Sequence, residues 1–449
     1  MRIDRLRVEN FKGFERKEFA FHPEFNLVVG DNGSGKTSVL DALAVAAGSW
    51  MLGIRDQHSR HIRTNEVRLV GFETSTDVNW EPQYPCVVDV DGRLATELVE
   101  PTPQPELFAR DEVSINWSRR LSGLKGRTTR IDAEIIKKAA EDAAAKVMTG
   151  RNVTLPLISY YGTGRLWDQP RSTTPDQSID RLKDQKNSRL VGYQNSVNPR
   201  LSVEALKDWI FRQSVMALLP LRLRTPALTV VVEALVRNIQ GATNLTYDLK
   251  LNEVVIEFKD STRQPFSNLS DGQRGMLALV GDIAQKAATL NPHFGEDILA
   301  KTPGIVLIDE LDLHLHPKWQ RHVIEDLRTT FPKIQFICTT HSPFLIQSLR
   351  SSEELVMLDG QSTANLGNEP IQTIAHDIQG VENTETSARY DEMKSVAHDY
   401  LKTLEDADKV PEDKLAEYKR RLAESIAPYA DNPAFQAFLE MKRTVKLGE

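Results

Sequence analysis

Only two cysteines, Cys86 and Cys338, occur in 449 residues, so no disulfide framework holds this chain together. Both lie in apolar runs and read as buried thiols, in keeping with a reducing compartment. Aromatic residues make up 7%, too few for a broad base-stacking platform. No apolar run reaches the length a bilayer requires, and the charge alternation at the start does not match a secretory leader. The expectation is a cytoplasmic chain with no membrane partner. Net positive charge is lacking too. The formal charge of −7 argues against wholesale wrapping of nucleic acid and leaves room for a local basic patch. No sustained heptad array occurs, which excludes a long coiled-coil arm.

With 40% hydrophobic residues, the chain can bury a sizeable core spread over more than one lobe. Residues 2–9 alternate apolar and charged as a strand does, and Asn10 to Gly13 reads as a turn. Asn26 to Val29 is a short apolar strand, and Thr37 to Trp50 a buried helix. Between them stands Gly30-Asp31-Asn32-Gly33-Ser34-Gly35-Lys36-Thr37, a full G-x-x-x-x-G-K-T. Strand, glycine loop and helix form the setting in which backbone N–H groups cradle phosphates. Gly30, Asn32, Gly33, Ser34, Gly35, Lys36, Thr37 and Ser38 are therefore candidates for ATP binding. Lys36 is expected on the β- and γ-phosphates, and Thr37 on Mg2+.

The second half carries the complementary chemistry. Ile305 to Ile308 is a continuously apolar strand that runs into Asp309-Glu310. At such a strand end Asp309 is expected to bind Mg2+, and Glu310 to act as general base toward water. Thr339-Thr340-His341 ends another apolar run, Ile334 to Cys338, which places His341 near the γ-phosphate or the attacking water. Ser270 in Leu269-Ser270-Asp271-Gly272-Gln273 is positioned to cap the next helix while offering its hydroxyl to phosphate. Gly272 is read as permitting close phosphate approach, and Gln273 completes this group. His314 and His316, with Asp312 nearby, allow either a metal set or hydrogen bonding beside the nucleotide.

Together these motifs resemble the ABC-type ATPase heads of the RecF, SMC and Rad50 group. The resemblance covers about residues 1–360, with Asp271 where the commonest signature has glycine. It implies an α/β ABC-type P-loop ATPase head with a mixed core sheet, an inserted α+β lobe and a C-terminal helical appendage. The head is expected over 1–375, with the inserted lobe at about 51–260, and the tail over 376–449. In that group two heads close as a homodimer around ATP, so Lys36 of one copy and Ser270 of the other bracket one nucleotide.

Tyr160-Tyr161-Gly162-Thr163-Gly164-Arg165-Leu166-Trp167 and Leu311-Asp312-Leu313-His314-Leu315-His316-Pro317-Lys318-Trp319-Gln320 narrow the likeness. They resemble the overcoming-lysogenization and Septu families of defence ATPases. The Septu resemblance implies control of a separate HNH nuclease, a PtuB-like partner, and the tail suits higher oligomerisation or docking of that partner. Arg165 suits either a nucleotide contact or a salt bridge. Arg119, Arg120, Lys125, Arg127 and Arg130, and separately Arg222 and Arg224, form basic clusters that suit a DNA backbone or a protein partner, and the first equally suits an exposed loop kept soluble by its charge. A RecF-like role in DNA repair or replication maintenance is the alternative.

Overall fold

The computed structural model describes residues 1–73, 78–98, 112–166, 188–200, 203–218, 226–358, 369–381, 386–405 and 432–447, with isolated positions between 420 and 427. The strands are β1 (Arg2–Phe11), β2 (Phe14–Ala20), β3 (Phe25–Val29), β4 (Leu69–Glu73), β5 (Val78–Pro82), β6 (Cys86–Ala95) and β7 (Glu112–Leu121). They continue as β8 (Leu157–Tyr161), β9 (Ala242–Asp248), β10 (Glu253–Phe258), β11 (Arg263–Pro265), β12 (Gly304–Ile308), β13 (Ile334–Thr339) and β14 (Leu355–Met357).

Five of these form a parallel sheet in the order β14-β3-β13-β12-β8. Strands β3, β8, β12 and β13 are buried along their whole length. Their near-continuous apolar sequences follow from cover on both faces. The helices Lys36–Ala47 and Asp271–Leu290 supply buried apolar faces in the same unit. Because β3, β12 and β13 are neighbours and parallel, their carboxyl ends open on one edge, where ligands of open α/β sheets bind.

A second, antiparallel sheet has the order β2-β1-β6-β7. In β1 the register shifts between Ile3 and Arg5, which lets Ile3 and Leu6 both face inward. Strand β6 alternates strictly, with Cys86, Val88, Val90 and Leu94 inside. A three-stranded antiparallel sheet, β11-β10-β9, leads into the serine loop, and β4–β5 form a separate hairpin. The α/β class, the mixed sheet architecture, the insertion and the helical appendage agree with expectation. Within residues 51–260, however, β6 and β7 complete the sheet begun by β1, and β8 is an edge strand of the parallel sheet.

The chain divides into Met1–Glu369 and Pro370–Glu449. In the second unit the helices Ala388–Glu405 and Pro433–Leu447 enclose a small core of Tyr400, Leu404 and Leu439. Among the described residues, no helix is long and apolar enough to cross a membrane.

Candidate nucleotide site

The glycine loop leaves β3 and enters the helix Lys36–Ala47. Gly33 and Gly35 have φ of 84° and 104°, the left-handed region that favours glycine. A Cβ on Gly35 would also lie 2.7 Å from the Phe14 ring, which reaches over the loop from β2. The helix receives no side-chain cap at Gly35, so its first-turn N–H groups suit an anion. The Lys36 side chain is buried, and its Nζ donates to the carbonyls of Gly30 at 2.7 Å and Asp31 at 2.8 Å. Ser34 Oγ is buried with no hydrogen-bond partner among the described residues, the kind of orphaned polar atom a phosphate oxygen would satisfy. Asn32 and Thr37 are exposed, and Ser38 is half-buried.

Thr37 Oγ1 donates to Asp309 Oδ2 at 2.9 Å, across 272 positions of sequence. Asp309 sits at the end of β12, buried, with its N–H donating to the Tyr161 carbonyl at 2.8 Å. Its Oδ1 accepts from Thr339 Oγ1 at 2.7 Å. That same hydroxyl oxygen accepts from the Glu310 N–H at 2.7 Å. Thr339 therefore fixes both acidic residues from β13, and Glu310 takes a left-handed backbone with φ of 49°. A hydroxyl and a carboxylate oxygen this close fit a hard divalent cation such as Mg2+, once both turn from each other onto the ion. His341 lies just beyond β13, exposed, two residues from Thr339.

The serine loop is built differently. Ser270 caps the helix Asp271–Leu290: its Oγ accepts from Gln273 N at 3.3 Å, while Ser270 N donates to Gln273 Oε1 at 3.1 Å. This reciprocal pair is a capping box. Ser270 remains exposed, and among the described residues no hydrogen bond ties Ser270 or Gln273 to the glycine loop of its own chain. A Cβ on Gly272 would lie 2.6 Å from the His314 carbonyl oxygen. Within one chain, then, this glycine accommodates the backbone of the acidic loop.

The histidines of that loop have separate tasks. His316 Nδ1 accepts from Lys318 N at 3.2 Å and caps the short helix Pro317–Gln320. Asp312 accepts from Thr340 Oγ1. Among the described residues no three His, Cys, Asp or Glu side chains converge as a metal set.

Behind the loop lies a buried polar layer that the sequence reading missed. Asp41, one turn beyond Thr37, accepts from Arg60 at 2.6 Å and Tyr160 OH at 3.2 Å and pairs with Lys12. Arg60 also pairs with Glu66 at 2.7 Å. Burial, followed by the Asp41 charge, pushes the Tyr160 hydroxyl above its ordinary pKa, so it stays a donor. On the next residue, Tyr161 OH donates to Asp282 Oδ2 at 2.7 Å. A visible signal was the pair Asp282 and Lys286, charged residues at i, i+4 among the apolar positions of a helix.

The first basic cluster divides. Arg119 shares its inward face with Ile115, Trp117 and Leu121 and is fully buried. It donates to Thr129 O at 2.9 Å, Ser59 Oγ at 3.1 Å and Ser49 Oγ at 3.4 Å, and shares a 3.1 Å hydrogen bond with His61 Nδ1. Burial, then the nearby Arg130 charge, lowers its pKa to about 10. It is thus withdrawn from any surface patch. Arg120, Lys125, Arg127 and Arg130 are exposed. Arg222 and Arg224 lie outside the described residues, as does the Arg165 side chain.

A phosphate loop and an acidic strand end brought together on one edge of a parallel sheet, beside a separately capped serine loop, define a P-loop ATPase head. The RecF/RecN/SMC N-terminal domain family matches residues 2–363, and the chain belongs to that family. It is accordingly a nucleotide-binding ATPase of the RecF/SMC-like group. It is similar to the retron Ec83 probable ATPase of Escherichia coli, 26% identical over 399 residues, covering 80% of this chain and 72% of that protein. It is also similar to the retron Vc95 probable ATPase of Vibrio cholerae, 21% identical over 79% of this chain and 73% of that one. The Septu protein PtuA of Bacillus mycoides is 38% identical over 109 residues, which are 24% of this chain and 14% of the relative.

Proposed function

We propose that this chain is the ATP-hydrolysing regulatory subunit of an antiphage defence complex that controls a separate HNH-type nuclease. The observation that carries the catalytic part is the junction of Thr37, Asp309, Glu310 and Thr339. Thr37 and Asp309 would hold Mg2+, which supplies charge neutralisation at the phosphates. Lys36 and the loop N–H groups bind the β- and γ-phosphates. Glu310 takes the proton of the attacking water, and His341 orients that water against the γ-phosphate. Ser270 of a second copy, with Gly272 and Gln273 behind it, contacts the same nucleotide from the other side. The serine loop's lack of ties to its own glycine loop supports this reading.

The defence context is supported by the names of the relatives, two retron ATPases and a Septu protein, and by the residue runs at 160–167 and 311–320. Its test is a pull-down of the tagged chain from cells carrying the neighbouring genes. An HNH protein retained in an ATP-responsive manner is the expected result, and a chain recovered only with itself would overturn it. The second reading, RecF-like DNA maintenance, is favoured by the family match and by the exposed Arg120, Lys125, Arg127 and Arg130. These residues carry no ion pair among the described residues and suit a phosphate backbone. Gapped-duplex binding that weakens with salt, without any nuclease partner, would establish that alternative.

A further inference from the structure

The signature helix Asp271–Leu290 is joined to the catalytic strand end by a closed group of buried polar side chains. Tyr161 OH donates to Asp282 Oδ2 at 2.7 Å. Asp282 pairs with Lys286 at 2.7 Å, one turn further along the helix. Lys286 Nζ donates to Ser159 Oγ at 3.1 Å and lies 5.6 Å from the centre of the Tyr161 ring. Asp282 and Lys286 are 7% and 8% exposed, and Tyr161 1%. Every member of the group thus lies out of water, and each polar head has a partner.

Two features argue against simple glue. A buried ion pair is often no more stabilising than apolar residues of the same volume, so stability alone does not explain one here. The group also sits on a direct line to the chemistry. Tyr161 is the last residue of β8 and registers with Ile308 of β12. Its carbonyl accepts the N–H of Asp309, whose carboxylate meets Thr37 and Thr339. At the other end, Ser270 caps the helix that carries Asp282, about 18 Å of helix rise away.

We propose that Tyr161, Asp282 and Lys286 are positioning residues that transmit contact at Ser270 to the backbone of Asp309 and Glu310. The inference rests on the reading of Ser270 as a contact to nucleotide held by another copy. A shift or tilt of the signature helix carries Asp282 with it. Tyr161 follows through its hydroxyl, and β8 then moves the peptide that sets the acidic pair. None of the three residues touches nucleotide in this scheme.

The test is a double-mutant cycle on the full chain, with ATP hydrolysis and fluorescent-ATP binding both measured. Tyr161→Phe keeps the ring and removes only the hydroxyl. It is expected to bind ATP within twofold of wild type and to lower kcat about tenfold. Ser270→Ala should lower kcat by a similar factor, and the double variant should be no slower than Ser270→Ala within about twofold, because both break one line of transmission. Asp282→Asn in place of Tyr161→Phe should give the same pattern, which guards against a folding defect in either variant. Losses that multiply to about a hundredfold would mean independent actions and overturn the proposal. So would a Tyr161→Phe variant with wild-type kcat. A wild-type chain without ATPase activity would instead strike the underlying reading, and this one with it.

Discussion

The backbone of Glu310 is fixed by its N–H bond to Thr339 and by a φ of 49°, which together set where the carboxylate starts. Glu310→Gln preserves that backbone and removes the proton acceptor. Hydrolysis should fall at least about a hundredfold while ATP affinity stays near wild type, as measured by phosphate release and equilibrium binding. Unchanged turnover would remove Glu310 from the proton-accepting role. Gly272 makes a different kind of prediction. Its missing Cβ gives room to the His314 carbonyl at 2.6 Å, so Gly272→Ala must displace backbone. A loss of about 1–3 kcal/mol is expected, the range for overpacking, visible as a lower melting temperature together with slower hydrolysis. An alanine variant with native melting and rate would show that the loop yields without consequence.

At the level of elements, β7 shows how direction along a strand decides chemistry. Read as a run of letters, Arg119 belongs with Arg120 in a surface cluster. Read as a strand, it shares parity with Ile115 and Trp117 and is buried. Its bond to His61 Nδ1 gives this region a pH dependence. Burial, then the Arg119 and Arg130 charges, hold His61 below its ordinary pKa of 6.5. The folded state therefore prefers neutral imidazole, while the unfolded chain takes up a proton near 6.5. Stability is full above that value and declines as the pH falls through it toward the folded pKa. His61→Gln should flatten the decline in a series of thermal melts between pH 5 and 8, values chosen to bracket histidine titration. An identical slope in both proteins would exclude His61 as the source.

The same scale explains what was legible beforehand. The glycine loop, the acidic pair and the serine loop are local motifs set at strand or helix ends, so sequence order alone exposes them. The apolar runs of β3, β12 and β13 read as buried parallel strands for the same reason. Strand β7 carries no such local mark, because its partner β6 and the inward face they share are tertiary facts. Tyr161 and Asp282 meet across 121 positions, and Lys12 and Asp41 across 29. Nothing local in either pair announces the other. Between β12 and β13 the chain forms two short helices, Pro317–Gln320 and Val323–Thr330, whose break has no glycine to mark it.

For the whole molecule, an exposed serine loop with no hydrogen bond to its own glycine loop among the described residues predicts association on ATP. Glu310→Gln with ATP and Mg2+ should show a doubled mass by light scattering, and Lys36→Ala should not. Chelation of Mg2+ should reverse the doubling. A monomer under all conditions would rule out a nucleotide-bridged pair of heads.

The 272 positions between Thr37 and Asp309 also have a consequence in time. Strand β13 lies between β3 and β12 in the sheet yet is made after both, so the growing chain holds an open seam until Thr339 leaves the ribosome. At about 5–20 residues per second, the glycine loop waits on the order of tens of seconds for the strand that completes its site. A polypeptide interrupted before Asp309 carries a phosphate loop without its acidic partners, and one interrupted between Glu310 and Thr339 has them without the strand that fixes them. Competence to respond to nucleotide therefore arrives only once Thr339 has been made and has joined the sheet.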